Sequence, residues 1–431
     1  MGELAHLCYT LGHDSQVTKQ ANMLEFEKLA PEIEQMAPGA YQRAQQHDAL
    51  LEAALARLHA HATDWGGLAQ SLQMALSQVD GKLFRSARPV DDNEPLDVVV
   101  DAPPPPPQAT LMASDGSQIL PDRHAAYLYS LINIGVITYY HGQGRSPAGL
   151  TYPTLDYPDG GGPAGEAPLE PFVDNGAIVY LRRDLAEIET LANTAWDNRR
   201  ETAPRLAVLD QRLLYWPTGG TSNPEGQRVL DGWQRAMVKA RDSGALLAGY
   251  IVKPGKRSVL TMLETLRVLA EPDYDAKKLE LFSSRPGPTD AHLFQRLLRQ
   301  PGQRSKVFVD VSQQNNNFRD RDAGNEVCFF YFNPGRGSSQ LARVDIPLSV
   351  AQDPAAVAAV HALLFDQCQI MGGYPYILTR ADELAVVSYQ DQEGLNLMID
   401  TAMQRYDLRG DITAKQSGKN DARAGQTKHG L

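Results

Sequence analysis

Two aspartates follow short apolar segments, at positions where a carboxylate could hold a metal ion. Asp115 follows the apolar segment 109–113 and stands in a Ser-Asp-Gly-Ser sequence, and Asp210 follows the almost wholly apolar segment 206–209. A carboxylate at the end of a buried strand is costly to desolvate unless it is paired or binds a cation. Each also has an ordinary alternative, because Asp-Gly is a common turn and a strand-end aspartate often caps a helix or forms a salt bridge.

Three further acidic residues lie on predicted helices. Glu187 and Glu189 flank the apolar stripe of the helix predicted over 181–195, and we expect only one of them to point at a site. An exposed position is the common alternative for a helical glutamate. Asp382 opens a predicted last helix after Pro375, where an acidic residue also suits the positive end of the helix dipole.

Taken together, these residues predict metal-dependent phosphodiester chemistry. In chain order they are a strand-end aspartate, a helical glutamate, a second strand-end aspartate and a C-terminal helical carboxylate. Mg²⁺ and Mn²⁺ prefer hard oxygen ligands, and two such ions can activate water and stabilise the leaving oxygen. The spacing alone does not establish that the four side chains meet.

The elements that must position these residues alternate between strands and helices from Gln108 onward. This alternation predicts an α/β domain with helices on both faces of a sheet. The Gly/Pro-rich range 142–168 predicts a loop. The predicted strands cover 109–113, 127–140, 205–210, 245–252, 307–311, 327–332 and 342–346, and the predicted helices cover 181–195, 226–243, 258–270, 353–370 and 381–388.

The rest of the chain is of different character. Apolar residues at helical spacing within 15–80 predict a helical hairpin or coiled-coil arm, with a break at Pro38-Gly39. The run Pro103–Pro107 predicts a stiff polyproline II connector. We therefore divide the chain into an N-terminal helical arm (1–85), a Pro-rich linker (86–108), the α/β domain (109–408) and a disordered tail (409–431).

Composition limits the class of protein. The 431 residues carry a net charge of −11, which argues against a broad basic face for nucleic acid. No apolar stretch approaches the roughly 20 residues of a membrane span, so we expect no membrane association. The three cysteines have no metal-ligand spacing, and the N-terminus shows no secretory signal. We expect a cytoplasmic protein.

Several segments resemble the NurA nuclease family, and the resemblance spans roughly residues 109–390. The first motif is the most specific, and Gln211 stands where the family more often has glycine. The similar segments are 113–119 with 121–124, Tyr129 and 132–135; 206–210 with 213–214; 248–255; and 373–376 with 380–385.

The resemblance implies an RNase H-like core, a mixed sheet flanked by helices, that uses Mn²⁺ or Mg²⁺ at a two-metal site. It also implies a 5′–3′ exonuclease and single-strand endonuclease that acts on single-stranded DNA and duplex ends in double-strand break repair. Members are commonly dimeric and work with a hexameric HerA-type ATPase. A ring translocase that delivers the DNA would make the acidic net charge tolerable.

Residue by residue, the resemblance implies that Asp115, Glu187 and Asp210 bind the metal, with Glu189 as the alternate to Glu187. Asp382 stands where many members have histidine, and an aspartate there favours harder ions such as Mg²⁺ and Mn²⁺. It also implies that Lys253 lies near the scissile phosphate and Tyr374 near the wall of the site.

Two other functions remain open from the sequence. The first is a non-catalytic adaptor that keeps the fold and docks on the ATPase, an interpretation that depends on Gln211 and Asp382 as departures from the family. The second is an RNase H-like enzyme that acts on RNA.

Overall fold

The computed structural model describes residues 26–123, 125–158, 175–217, 224–335 and 341–408. The predicted tail 409–431, residues 1–25 of the predicted arm, His124 and residues 159–168 of the predicted loop lie outside these ranges. The chain divides into two compact units, Met1–Glu52 and Ala53–Leu431.

The N-terminal region is helical, as predicted, but the predicted break is wrong. Helix α1 (Phe26–Ala60) continues through Pro31 and Pro38, and helix α2 covers Trp65–Gln78. A proline removes only one hydrogen bond from its helix, and water can satisfy the freed carbonyl of an exposed helix. The chain instead turns before Asp64, whose carboxylate accepts a hydrogen bond from the Gly67 amide (3.0 Å) and caps α2.

Among the described residues of the second unit, one sheet of nine strands forms the centre. Its order is β1-β7-β8-β9-β6-β5-β2-β3-β4. β2, β5 and β6 are parallel to one another, and the other neighbouring pairs are antiparallel. The strands are β1 (Ser86–Pro89), β2 (Ala109–Ile119), β3 (Ser130–His141), β4 (Ala148–Asp156), β5 (Arg205–Leu209), β6 (Leu246–Ile251), β7 (Phe308–Val311), β8 (Val327–Phe332) and β9 (Ala342–Pro347).

The strand order identifies an RNase H-like core. β2, β3 and β4 form an antiparallel meander, and the chain then crosses through a helix to β5, which pairs parallel to β2. The order of the five core strands is therefore third, second, first, fourth and fifth. This confirms the predicted α/β class with a mixed sheet and flanking helices.

Two predicted details of the sheet are wrong. β4 lies within the range 142–168 that we predicted as a loop, because it forms the edge of the sheet and its exposed side chains give no apolar pattern. β2 does not end at Ala113 but continues for six residues. Pairing with β5 ends at Ser114, whereas pairing with β3 continues to Ile119, so Asp115 lies within a strand at the point where its parallel neighbour ends.

Helices cover both faces of the sheet. The helices after α2 are, in chain order, α3 (Gly176–Asp197), α4 (Pro224–Asp242), α5 (Ser258–Ala270), α6 (Lys277–Ser284), α7 (Asp290–Gln295), α8 (Gln313–Arg321), a 3₁₀ turn (Ala323–Asn325), α9 (Leu348–Ala351), α10 (Pro354–Met371), α11 (Tyr376–Ala385) and α12 (Tyr389–Gln404). α3 and α4 pack on one face, and α10 and α11 pack on the other, which gives two separate hydrophobic layers.

Segments that precede residue 109 are part of this fold. β1, within the range predicted as a linker, pairs antiparallel with β7 from Ser86↔Val311 to Pro89↔Phe308. Helix α2 packs on α5, where the hydroxyls of Ser71 and Thr265 lie 3.2 Å apart in the buried contact.

Within the described ranges, no single helix is long and apolar enough to cross a membrane. One bent pair, Pro354–Met371 with Tyr376–Gln404, passes that test together by length and composition, with a bend of 68°.

Candidate metal centre

Two neighbouring parallel strands bring Asp115 and Asp210 to the same edge of the sheet. Ser114 pairs with Leu209, so the next residue along each strand is an aspartate. Adjacent strands lie about 4.8 Å apart, and alternate side chains share a face. The two carboxylates therefore extend the face that Ala113 and Val208 occupy in the core beneath α11.

Helix α11 brings Asp382 over this edge. The Ala385 carbonyl, at the end of α11, accepts a hydrogen bond from the Asn133 amide on β3 (2.9 Å). A β-carbon at Gly135 would overlap the Ala385 nitrogen and lie 2.7 Å from the Ala381 oxygen, so this glycine allows α11 to contact β3 backbone to backbone. Asp382, one turn earlier, interacts directly with the Asp115 carboxyl group.

The prediction that Asp382 opens its helix is wrong. Pro375 is the N-cap residue and α11 begins at Tyr376, so Asp382 lies in the C-terminal half of the helix. The helix-dipole explanation for an acid at this position is thereby excluded, because the C-terminal end of a helix disfavours negative charge.

Glu187 approaches the same edge from α3, on the opposite face of the sheet. It is 5% exposed, and the Ser114 hydroxyl donates to its backbone carbonyl (2.8 Å). A β-carbon at Gly116 would lie 2.7 Å from Glu187 Oε1, so the glycine leaves the space that the carboxylate occupies. Both carboxylate oxygens have partners: Oε1 pairs with Arg183 Nε (3.1 Å), and Oε2 accepts from Gln211 Nε2 (2.7 Å).

Glu189 lies elsewhere on α3. Its carboxylate is 3.2 Å from where a β-carbon would stand on Gly232 of α4, and its charged neighbours are Arg235 and Lys239. The structure therefore places Glu187 near the aspartates and Glu189 at the contact between α3 and α4.

The acidic side chains interact electrostatically as one group. Burial raises the pKa of Asp115, and the nearby Asp382 charge raises it further. The pKa of Asp210 is raised to about 6, first by loss of water around the carboxyl group and then by the Asp115 and Asp382 charges. Burial also raises the pKa of Glu187, although Arg183 opposes this shift. Close carboxylates with no cation between them disfavour ionisation in this way.

Tyr374 and Lys253 differ in how the structure positions them. The Tyr374 hydroxyl hydrogen-bonds to Asp210, and burial together with that carboxylate raises the pKa of the phenol. Its ring packs edge-on against Tyr250, with centroids 5.7 Å apart. Lys253 follows β6 with a left-handed φ of 51°, and its exposed side chain makes no hydrogen bond or ion pair within the described part of the chain. Tyr374 thus lies in the acidic group, whereas Lys253 is only near the same edge of the sheet.

The donor set suits a hard divalent cation, although the side chains are not yet arranged around one point. Among the described residues, no group of three His, Cys, Asp or Glu side chains already has metal-binding geometry. Asp115, Asp210 and Asp382 nevertheless offer carboxylate oxygens whose mutual repulsion a cation would relieve. These three aspartates fit such an ion. The Glu187 carboxylate is instead paired with Arg183 and hydrogen-bonded to Gln211, on the opposite face of the sheet.

Sequence reasoning missed the role of two residues that hold Glu187. Arg183 lies one helical turn before it, and an Arg–Glu pair at this spacing is a recognisable signal. Gln211 follows Asp210 directly and was noted only as a departure from a motif. Gln211 and Glu187 are 24 positions apart in the sequence, so their hydrogen bond is visible only in the folded structure.

Comparison with known proteins supports a single family. The NurA domain model matches residues 109–387. Among solved structures, the chain is similar to the NurA nuclease from Sulfolobus solfataricus, with 14% identity, coverage of 72% of this chain and 87% of that chain, and a TM-score of 0.44. It is also similar to a NurA structure with manganese, with 11% identity, coverage of 70% and 91%, and a TM-score of 0.30.

A further similar structure is LC9-RNase H1, a type 1 RNase H with the type 2 active-site motif. Its identity is 14%, the match covers 43% of this chain and 84% of that chain, and the TM-score is 0.20. No curated protein matches the chain significantly. At these low scores the fold assignment depends on the strand order, and the family assignment depends on the match over 109–387.

Proposed function

We propose that this chain, which belongs to the NurA domain family, is a divalent-metal-dependent deoxyribonuclease. The observation that carries the proposal is the meeting of Asp115 from β2, Asp210 after β5 and Asp382 from α11 in one electrostatically coupled group. Three acids from separate parts of the chain would repel one another without a cation, so stability alone does not account for the arrangement.

In this proposal Asp115, Asp210 and Asp382 hold Mn²⁺ or Mg²⁺. When bound, such ions activate water and stabilise the leaving oxygen of a phosphodiester. The Tyr374 hydroxyl orients the Asp210 carboxylate through their hydrogen bond. Glu187 completes the ligand set only if its oxygens leave Arg183 and Gln211. Until then its contribution is through the main chain: its backbone carbonyl accepts a hydrogen bond from the Ser114 hydroxyl and so holds α3 against the edge of the sheet.

The finer features of the proposal rest on the family resemblance. We infer a 5′–3′ exonuclease and single-strand endonuclease that processes DNA ends in double-strand break repair, in the cytoplasm and beside a HerA-type ATPase. We also infer a homodimer in which α1 contributes. The first part of α1 supports that inference, because its side chains of Phe26, Ile33, Met36 and Tyr41 are all more than half exposed.

One observation favours a second function, a non-catalytic adaptor that docks on the ATPase. Both oxygens of Glu187 are already paired, and one of the partners is Gln211, where the family more often has glycine. If those contacts persist in solution, the ligand set stays incomplete and the protein would bind its partners without cleaving DNA.

Cleavage of a single-stranded oligonucleotide with Mn²⁺ separates the two functions. We expect wild-type protein to cleave and Asp115→Asn to lose cleavage while its thermal midpoint in EDTA stays equal or rises, because one charge leaves a repulsive group. Asp273→Asn is the matched control, since Asp273 is exposed and lies outside the acidic group. Equal cleavage by wild type and Asp115→Asn would contradict the proposed site, and inactive wild-type protein would favour the adaptor.

A further inference from the structure

The side of α3 that carries Glu187 continues towards solvent with an arginine and a tyrosine. Tyr180, Arg183 and Glu187 are three and four residues apart, so they follow one side of the helix. Glu187 is buried, the Arg183 side chain is 26% exposed and Tyr180 is 41% exposed. The Arg183 guanidinium carbon lies 5.7 Å from the centroid of the Tyr180 ring, within the range of a cation–π contact. These two side chains form one surface, which we call the Tyr180–Arg183 face.

Arg183 lies against the same glycine as the Asp115 carboxylate. The Gly116 amide donates to Asp115 Oδ1 (2.8 Å), and a β-carbon on Gly116 would lie 2.9 Å from Arg183 Cγ. The Arg183 side chain then reaches the next residue on that face of β2, where its Nη1 donates to Gln118 Oε1 (3.0 Å). Asp115 and Arg183 therefore flank one short stretch of β2 from its two faces.

This stretch of β2 has an open edge. Pairing of β2 with β5 ends at Ser114, whereas β2 continues to Ile119 with β3 on its other side. Among the described strands, none pairs with β2 on the β5 side beyond Ser114. Groups from both faces of the sheet can therefore contact one molecule that lies along this edge, with Asp115 on one side of it and Arg183 on the other.

The Arg183 guanidinium is held in place and keeps donors for a ligand. Its Nη1 donates to Gln118, its Nη2 donates to Asp184 Oδ1 (2.7 Å), and its Nε lies 3.1 Å from Glu187 Oε1 without a hydrogen bond. Each Nη carries two N–H groups, so within the described part of the chain one on each remains for an acceptor. An arginine that precedes its glutamate is also the less favourable order for stabilising a helix, so helix stability alone does not account for this pair.

The span along α3 suits neighbouring nucleotides of one strand. Tyr180 precedes Glu187 by seven residues, which separates their Cα atoms by about 10 Å along the helix. A DNA strand advances about 3.4 Å per stacked nucleotide, so about three nucleotides bridge the acidic edge and the Tyr180 ring. Arg183 lies between the two positions, where a phosphate of the same strand would pass.

We propose that the Tyr180–Arg183 face binds a single DNA strand next to the phosphodiester at the acidic edge, with Arg183 on a phosphate and the Tyr180 ring stacked on an unpaired base. This inference rests on the proposed nuclease function and adds to it a contact that selects single strands. The planar guanidinium matches phosphate geometry, and an exposed aromatic ring stacks on a base of any sequence. A base in a duplex is already paired and stacked on its neighbours, so the ring favours unpaired nucleotides.

Binding measured without metal tests this face separately from cleavage. Fluorescence anisotropy in EDTA, with a labelled single-stranded oligonucleotide, compares wild type with Tyr180→Leu and Tyr180→Phe. We expect Tyr180→Leu to bind about tenfold more weakly, the equivalent of one stacked base, and Tyr180→Phe to bind like wild type because it keeps the ring. The loss should disappear with an oligonucleotide of abasic residues, which offers phosphates but no base, and with a blunt duplex, whose bases are paired.

Trp196→Leu is the matched control. Trp196 and Arg199 are also three residues apart, and the Arg199 guanidinium carbon lies 4.8 Å from the Trp196 ring centroid. Trp196 is on α3 as well, about 24 Å further along the helix than Tyr180. A second variant, Arg183→Gln, should weaken binding of both the ordinary and the abasic oligonucleotide, with a salt dependence shallower by about 0.7 for one lost phosphate contact. Tyr180 is exposed, so its variants should keep the fold even if Arg183→Gln does not.

The outcomes distinguish this face from the nuclease assignment. If wild-type protein cleaves DNA with Mn²⁺ but Tyr180→Leu and Arg183→Gln bind the single strand as tightly as Trp196→Leu, the inference is wrong and the nuclease stands. If wild-type protein does not cleave but both variants bind more weakly than Trp196→Leu, the face binds DNA in a non-catalytic protein. An equal loss for Tyr180→Leu with the abasic oligonucleotide would overturn the stacking contact, because the ring would then act only through Arg183.

Discussion

The charge on Asp210 should make the metal-free protein less stable as the pH rises. Its folded-state pKa of about 6 lies above the usual 3.8, so the folded protein holds this proton more tightly than the unfolded chain. The protonated Asp210 side chain makes its full contribution to stability below about pH 4, and this contribution is lost as the pH rises through 6. The shift corresponds to about 3 kcal/mol, which solvent screening of the exposed residue reduces to about 1–2 kcal/mol.

Asp210→Asn should remove this pH dependence. The amide carries no charge and keeps an oxygen that can accept the Tyr374 hydrogen bond. In EDTA we expect urea unfolding to give the variant about 1–2 kcal/mol more stability than wild type at pH 7.5 and nearly equal stability at about pH 3.5, below the unfolded-state pKa. With Mn²⁺ at pH 7.5 the order should reverse, because only wild type keeps the full set of carboxylates to bind the ion.

Asp273→Asn again provides the control, since an exposed aspartate outside the acidic group should change stability little at either pH. A difference between Asp210→Asn and wild type that is the same at about pH 3.5 and pH 7.5 would show that the substitution acts through packing, and the electrostatic reasoning would fail. A difference that Mn²⁺ does not reverse would mean that Asp210 does not bind the ion.

Three further predictions concern the surroundings of the site. Gln211→Gly should free one oxygen of Glu187 and tighten Mn²⁺ binding about tenfold, the equivalent of one hydrogen bond, in calorimetric titrations. Unchanged affinity would mean that Glu187 does not bind the ion. Gly135→Ala should push α11 from β3, lowering stability by about 1–3 kcal/mol and abolishing cleavage; full activity would contradict the proposed role of Asp382. The Asp290 carboxylate accepts hydrogen bonds from the α5 amides of Val259 and Leu260 (3.0 and 2.9 Å). Asp290→Ala should therefore lower the free energy of unfolding by about 3 kcal/mol, measured in urea, without changing metal affinity.

The strands with apolar sequences were predictable, and the others were not. β8 is buried at every residue and was predicted with its observed bounds. β4 has exposed side chains along nearly its whole length, so its sequence lacks the regular alternation of apolar and polar residues that would indicate a strand. β2 changes from fully buried to half-buried after Ser114, because its neighbour β5 ends there. The end of the apolar segment was therefore mistaken for the end of the strand.

The site was predictable in residue type more than in geometry. Patterns suggested acids near strand ends and on helices, and the fold places Asp115, Asp210 and Asp382 together. The sequence could not decide between Glu187 and Glu189, because both flank the apolar stripe of α3. It also gave no sign that the Gln211 side chain would hydrogen-bond to the Glu187 carboxylate, since that contact joins two distant segments of the chain.

The pairing of β1 with β7 has a consequence for how the chain is made. Ser86 pairs with Val311, so the ribosome adds roughly 220 residues between the two partners. At about 5–20 residues per second, β1 waits roughly 10–45 s for β7, its one neighbour among the described strands of the sheet. During synthesis this segment has no backbone partner, and a chain shortened to start at Ala109 would leave the β7 edge permanently open to other chains. The folded unit therefore begins before the family match, which starts at residue 109.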